Sequence, residues 1–241
     1  MVNVGIFYPE RDLDLRVNGS VDIENEKFDF DEGARRKSSD DIFAAEMAWR
    51  FREDWSVLAQ YFDSSSTAEK TLLEDIEWED VVFGEGSNAS AGTHMEVTRL
   101  FVGKHLQTDP HHDLGFGLGI HWLNLGAFIE GTIIANGEPV SARRSVRTEG
   151  PLPNLGMWYR YSMSPRLAFR TRFDLFSASV GDYDGLLVNA SAGINYRVTE
   201  HLGIGVAYNF FELDVKINDD GWRGNVDTIF NGLYVSLGGH Y

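Results

Sequence analysis

The sequence predicts an all-β fold: a closed antiparallel transmembrane β-barrel of ten strands, with eight as the alternative count. Three observations carry this. Segments of about 9–12 residues, the length of a tilted membrane strand, alternate between apolar side chains and Gly, Asn or charged ones. Short polar turns join these segments in pairs, and longer acidic or glycine-rich connections separate the pairs.

The elements follow in chain order. "LDLRVNGSVDI" (Leu13–Ile23) alternates and supplies an N-terminal strand. "FAAEMAWRFREDWSVLAQYF" supplies strands Ile42–Phe51 and Trp55–Asp63 about a turn at Arg52-Glu53-Asp54. Met95–Leu106 and Asp113–Phe128 turn around Gln107–His112, and Asn154–Met163 and Leu167–Ser177 turn at Ser164-Pro165. Leu187–Arg197 and Leu202–Leu213 form the fourth hairpin, and "TIFNGLYVSLGGHY" ends the chain. The connections Asp22–Asp40, Asp63–Thr93, Glu130–Pro151, Val180–Gly185 and Asp214–Asp227 are expected to be long loops on one side, with the short turns on the other. The whole chain, 1–241, reads as a single transmembrane barrel domain.

Composition narrows the class. With no cysteine there is no disulfide, thiolate nucleophile or Cys-ligated metal. A net charge of −16 excludes a generic nucleic-acid binder and docking on an anionic membrane by charge alone. No apolar run reaches the ~18 residues of a membrane helix. "MVNVGIFYPERDLDL" lacks the basic and apolar regions of a secretory signal.

The two strand faces decide the orientation. One face carries Phe43, Ala45, Met47, Trp49 and Phe51, or Leu114, Phe116, Leu118, Ile120 and Trp122. The other carries Arg and Asn, with Gly115, Gly117, Gly119, Gly203 and Gly205. A ten-stranded cylinder cannot hold so many large side chains, and a solvated strand gains nothing from bare glycine. The apolar face is therefore expected in lipid, with aromatics at the interfaces. Glycines on the polar face would leave room for long arginines in a narrow lumen. A two-sheet sandwich is the soluble alternative.

The terminal "NGLYVSLGGHY", with alternating apolar residues and a final aromatic, resembles the last strand of Gram-negative outer-membrane barrels. The hairpins "YRYSMSPRLAF" and "YRVTEHLGIGVAY" resemble those of the small OmpA-type and OmpW-type barrels. The resemblance covers nearly the whole chain but is one of pattern. It implies the outer membrane, a mature chain whose signal peptide is absent, contact with outer-membrane lipid and lipopolysaccharide, and the barrel-assembly machinery during insertion. It carries over no functional residue, since one scaffold serves anchors, pores, adhesins and enzymes.

Two groups of residues stand out. Glu46, Arg50, Arg99, His121, Arg160, Arg170, Arg172 and Asp174 are expected in the lumen, as an ion-pair cluster or a narrow anion-preferring passage. In "LLEDIEWEDVVFGEG", Glu74, Asp75, Glu77, Glu79 and Asp80 form an acidic loop able to take a divalent cation, although no twelve-residue calcium loop is present. His111 and His112 read as turn residues, and His94 with Asp40 and Asp41 as residues near the outer rim. No Ser-His-acid arrangement at a recognisable spacing and no phosphate-binding loop are found, so neither cofactor nor enzymatic activity is expected. The expected function is a narrow pore or a structural barrel with a charged lumen. The alternative is a surface protein binding lipopolysaccharide, cations or a partner through acidic loops, and a rim-located membrane enzyme ranks last.

Overall fold

The computed structural model describes residues 1–17, 21–23, 42–72, 75–78, 81–135, 138–180, 183–219 and 222–239. The strands are β1 (Val2–Val17), β2 (Val21–Ile23), β3 (Ile42–Arg52), β4 (Trp55–Thr71), β5 (Ile76–Trp78), β6 (Val81–Phe83) and β7 (Asn88–Thr108). They continue with β8 (His112–Ala135), β9 (Glu138–Ser162), β10 (Leu167–Val180), β11 (Tyr183–Arg197), β12 (Leu202–Asp219) and β13 (Trp222–Gly239). Ten of them form an antiparallel ring, β13-β12-β11-β10-β9-β8-β7-β4-β3-β1, closed by pairing of β1 with β13. Closure leaves no sheet edge in lipid, so the backbone polar groups are satisfied within the barrel. β2 pairs briefly with β1, while β5 and β6 form a separate hairpin.

The first strand starts earlier than the alternation suggests. It runs from Val2, and its membrane part is Val2–Tyr8, with Val2, Val4, Ile6 and Tyr8 exposed. The expected segment Leu13–Ile23 covers only its far end and β2. Most of the long connections are strand: β8 and β9 stay paired from His112↔Tyr161 to Ala135↔Glu138, and β4 and β7 from Trp55↔Lys104 to Thr71↔Asn88. The cross-strand ladder simply continues past the membrane.

That continuation changes the chemistry of the faces. On β8 the outward residues Phe116, Leu118, Ile120 and Trp122 are exposed, and Leu114 precedes them. From Leu114 to Trp122 is roughly 26 Å of strand, or ~20 Å of bilayer at a 40° tilt, close to the apolar band of such barrels. Beyond Trp122 the phase inverts. Leu123, Leu125, Ala127 and Ile129 point inward and are buried, while Asn124 and Glu130 take the outward face. β12 does the same: Leu202, Ile204, Val206 and Tyr208 face out, then Phe211, Leu213 and Val215 face in.

The ion-pair layers of the lumen thus lie in the half nearer the short turns, and in the half beyond only small polar groups such as Ser64, Thr148 and Thr228 are buried among apolar side chains. The half beyond is packed like the core of a water-soluble protein. Phe62 on β4 meets Phe211 on β12 edge to face at 5.6 Å, and Phe211 meets Phe230 on β13 at 6.3 Å. Leu152, Leu187, Met95, Val97 and Val146 complete the plug. The β5–β6 hairpin adds Val81 and the fully buried Phe83, which sits over Gly131 where a Cβ would lie 3.1 Å from its ring. Each such aliphatic or aromatic side chain contributes about 1.5–3 kcal/mol by leaving water.

The lumen glycines serve a different neighbour from the one expected. A Cβ on Gly103 or Gly115 would strike the Trp158 ring, and on Gly117 the Val102 carbonyl. They make room for an indole and for close backbone approach, rather than for arginine. Gly156 comes closest to that expectation, since a Cβ there would collide with the Asp174 carboxylate and the Phe101 ring.

Candidate functional site

Two polar layers lie under the apolar plug. The upper one brings together Glu46 on β3, Arg99 on β7, His121 on β8 and Arg170, Arg172 and Asp174 on β10. All lie on the inward phase of their strands, because Glu46 pairs with Gln60, Gln60 with Arg99, and Arg99 with His121. Arg99 and Asp174 are 1% and 0% exposed and form an ion pair at 2.5 Å. Arg99 also lies over the Phe101 ring, 4.5 Å from its centroid. Asn154 donates to Asp174 at 3.2 Å, and Arg172 Nε faces the other carboxylate oxygen at 3.1 Å, off hydrogen-bond alignment.

Glu46 reaches across the barrel to Arg170 at 3.4 Å and Arg172 at 3.5 Å, and accepts from Gln60 and Asn3. Gln60 in turn accepts from Arg172 and Arg99. Three guanidiniums face two carboxylates, so the layer carries one positive charge in excess. Arg99 Nε and both ring nitrogens of His121 are buried and make no hydrogen bond to any described residue. Six of the eight expected lumen residues therefore form one layer.

Arg50 and Arg160 fall in a second layer at the short-turn mouth. Arg160 pairs across the ladder with Asp113 and Arg170, close enough to feel the charges of Arg197 and Arg50. Arg50 binds Asp113 at 3.2 Å, a lumen carboxylate that the sequence reading had not assigned. His105 completes this layer. Its Nδ1 lies 2.5 Å from Asp113 Oδ1, and its Nε2 lies 2.7 Å from Ser56 Oγ. Ser56 and Asp113 are served by the tautomer that accepts at Nε2 and donates at Nδ1, but Arg50 contests both nitrogens: its Nε donates to Nε2, and its Nη2 lies 3.1 Å from Nε2 and 2.5 Å from Nδ1. Arg50 flanks the ring, with Nε 3.2 Å from Nε2, and Trp158 packs edge-on at 5.0 Å.

The structure so assembles a Ser-His-Asp relay where the sequence displayed none. Ser56 and His105 are 49 residues apart. His105 keeps the inward phase of Arg99, Phe101 and Gly103, and the bulge of β7 follows it, between His105 and Gln107. Asp113 sits beside a turn, and a turn aspartate usually caps backbone. Its neighbour Asp109 does that: the N–H groups of His112 and His111 hold its carboxyl below the usual range. The turn reading of the two histidines stands.

The remaining candidates lie elsewhere. His94 points outward above the apolar belt, 3.6 Å from Asp63, on a polar wall with Glu96, Asn124 and Arg147. Asp40 and Asp41 lie outside the described residues. In the acidic loop, Glu74, Glu79 and Asp80 and the side chain of Glu77 also lie outside them. Asp75 is described, and it accepts the Glu85 N–H. No cluster of metal-ligating side chains is present among the described residues.

No protein-family model matches the chain, and no curated protein matches it. Among solved structures the chain is similar to the outer membrane protease OmpT from Escherichia coli, with TM-score 0.61 and 11% identity over 99% of this chain and 96% of that one. It is also similar to the NanC porin, with TM-score 0.42 and 9% identity over 100% of both chains. A third is Ail, the attachment invasion locus protein of Yersinia pestis, with TM-score 0.32 and 11% identity over 98% of this chain and 95% of that one. The first likeness shows a shared fold, that of a ten-stranded outer-membrane β-barrel.

Proposed function

We propose that the protein is a sealed outer-membrane barrel, a structural, non-conducting scaffold. The observation that supports this reading is the pair of contacts spanning the full bore at two heights. Glu46 on β3 meets Arg172 on β10, which stand opposite one another in the ring, and Phe62 meets Phe211 above them. A hydrated ion crossing that path would have to part a buried ion-pair layer and then an apolar plug, losing its own hydration in the second.

The two ends of such a barrel differ. The short-turn mouth is basic, with Arg50, Arg160 and Arg197. The far end carries an outward polar wall in which Arg143 pairs with Glu130 at 3.0 Å and Arg147 with Asn124. Standing directly above the lipid belt, that wall is the surface that would meet lipopolysaccharide. Planar-bilayer recording tests the sealed reading. The folded protein in molar potassium chloride is expected to give no stepwise current. Regular openings whose size scales with salt would overturn it.

A further inference from the structure

We propose that Ser56, His105 and Asp113 form a working nucleophilic relay that cleaves anionic carboxylic esters entering through the short-turn mouth. Three features carry the proposal. The hydrogen-bond chain has the geometry that an activated serine requires: a base at 2.7 Å from Oγ, and a carboxylate at 2.5 Å from the base's other nitrogen. The base is positioned by more than that carboxylate, since the Trp158 ring packs against its edge and Gly103 and Gly115 leave space for the indole. Inside the mouth Arg50, Arg160 and Arg197 gather about Asp113, with Asp54, Asp109 and Glu200 on the turns around it, and the Arg50 side chain is 39% exposed.

A serine donating to a histidine that donates to an aspartate leaves Ser56 Oγ with free lone pairs at a solvated mouth. Arg50 is the cross-strand neighbour of Ser56, and at rest its Nε donates to the same Nε2 that Ser56 uses while its Nη2 lies against Nδ1, so the base is freed when the anionic group of a substrate draws the guanidinium off the ring. Arg50 thus lies beside the place where negative charge would develop on an attacked carbonyl.

The step balances with the ester and water alone. Ser56 Oγ adds to the carbonyl carbon while its proton passes to His105 Nε2, and Arg50 faces the resulting oxyanion. Collapse breaks the ester C–O bond, and the leaving alkoxide takes the proton from His105. Water then gives a proton to His105 and its oxygen to the acyl carbon. The acid leaves, and Ser56 regains its hydrogen. The Asp113 carboxylate stays ionised and holds the ring. The anionic part of the substrate is the group that the arginines select.

A fluorophosphonate probe on the detergent-folded full chain tests the relay, with folding checked by heat-modifiable gel mobility. The expected result is one label per chain, located at Ser56 by peptide mapping. It should be lost in Ser56→Ala and slowed ~10²-fold or more in His105→Gln, both still heat-modifiable. Absence of label at Ser56 in the folded protein, or an equal rate in His105→Gln, would overturn the proposal. Two esters then identify the substrate source. Turnover of phosphatidylglycerol in mixed micelles points to a lipid, and turnover of 4-acetoxybenzoate alone points to a soluble ester. Faster turnover of phosphatidylcholine and neutral 4-nitrophenyl acetate would refute the anionic selection. A conducting barrel that still labels would sink the sealed reading and leave this one standing.

Discussion

Asp174→Ala is expected to destabilise the barrel by about 3–5 kcal/mol, the usual cost of stranding a buried charge. Asp174 is fully buried and is the partner of Arg99, which is equally removed from water. It also faces Arg172 Nε and accepts from Asn154. Without it three guanidiniums share the single carboxylate of Glu46, and Arg99 loses its direct ion pair. Arginine cannot escape by shedding a proton. The double variant Arg99→Met with Asp174→Leu removes both charges and is expected to recover most of the loss, because an apolar pair of similar volume does not need the ionic partner. Urea unfolding in detergent reads both, as a midpoint shift at constant slope. Equal stability of the single and the double variant would mean that the pair is not coupled.

Leu118→Arg is the second large effect. Leu118 lies midway along the outward apolar run of β8 and is 64% exposed. In water an exposed leucine tolerates arginine at little cost, within about 0.5 kcal/mol. At the middle of a bilayer the same change costs roughly 2–4 kcal/mol. Ser145→Arg supplies the comparison. Ser145 pairs with Phe128 on the extension beyond the belt, where the outward face is polar. Its substitution is expected to be nearly neutral. Folding yield into lipid vesicles, measured side by side, separates the two sites. Equal yields would remove the lipid from the Leu118 face.

Much of the barrel was legible because alternation and turn chemistry are local. The hairpin turns at Glu53-Asp54 and Ser164-Pro165 fall where the ladder reverses. The inversion of faces was legible too, in a signal easily passed over. Eight strands carry two apolar residues in succession where the belt gives way to the plug: Ile6-Phe7, Ile42-Phe43, Tyr61-Phe62, Trp122-Leu123, Leu175-Phe176, Leu186-Leu187, Phe210-Phe211 and Ile229-Phe230. A period of two cannot place both on one face, so each pair marks the level where the solvent outside changes from lipid to water.

The polar layers were legible only as a set. Glu46, Arg99, Arg172 and Asp174 could be assigned inward from alternation, but their partners lie across the bore. Arg99 and Asp174 are 75 residues apart, and Glu46 and Arg170 are 124 apart. No local pattern encodes which arginine meets which carboxylate, because that depends on the stagger of the closed sheet. Ser56, His105 and Asp113 lie on the neighbouring strands β4, β7 and β8, and no spacing along the chain shows that their side chains meet. The N-terminal strand was misplaced because glutamate, arginine and aspartate interrupt its apolar run after Pro9, which drew attention to the cleaner alternation beyond.

The chain has no native cysteine, so single cysteines can be placed on β8 without background. An environment-sensitive fluorophore is attached in turn at Phe116, Leu118, Ile120, Gly126, Phe128 and Glu130, with the protein folded in vesicles of acyl-chain-brominated lipid. Strong quenching at the first three positions and little at the last three is the result that a lipid-facing belt below an inverted, water-facing extension predicts. Quenching that is uniform along the strand, or absent at Leu118, would contradict it.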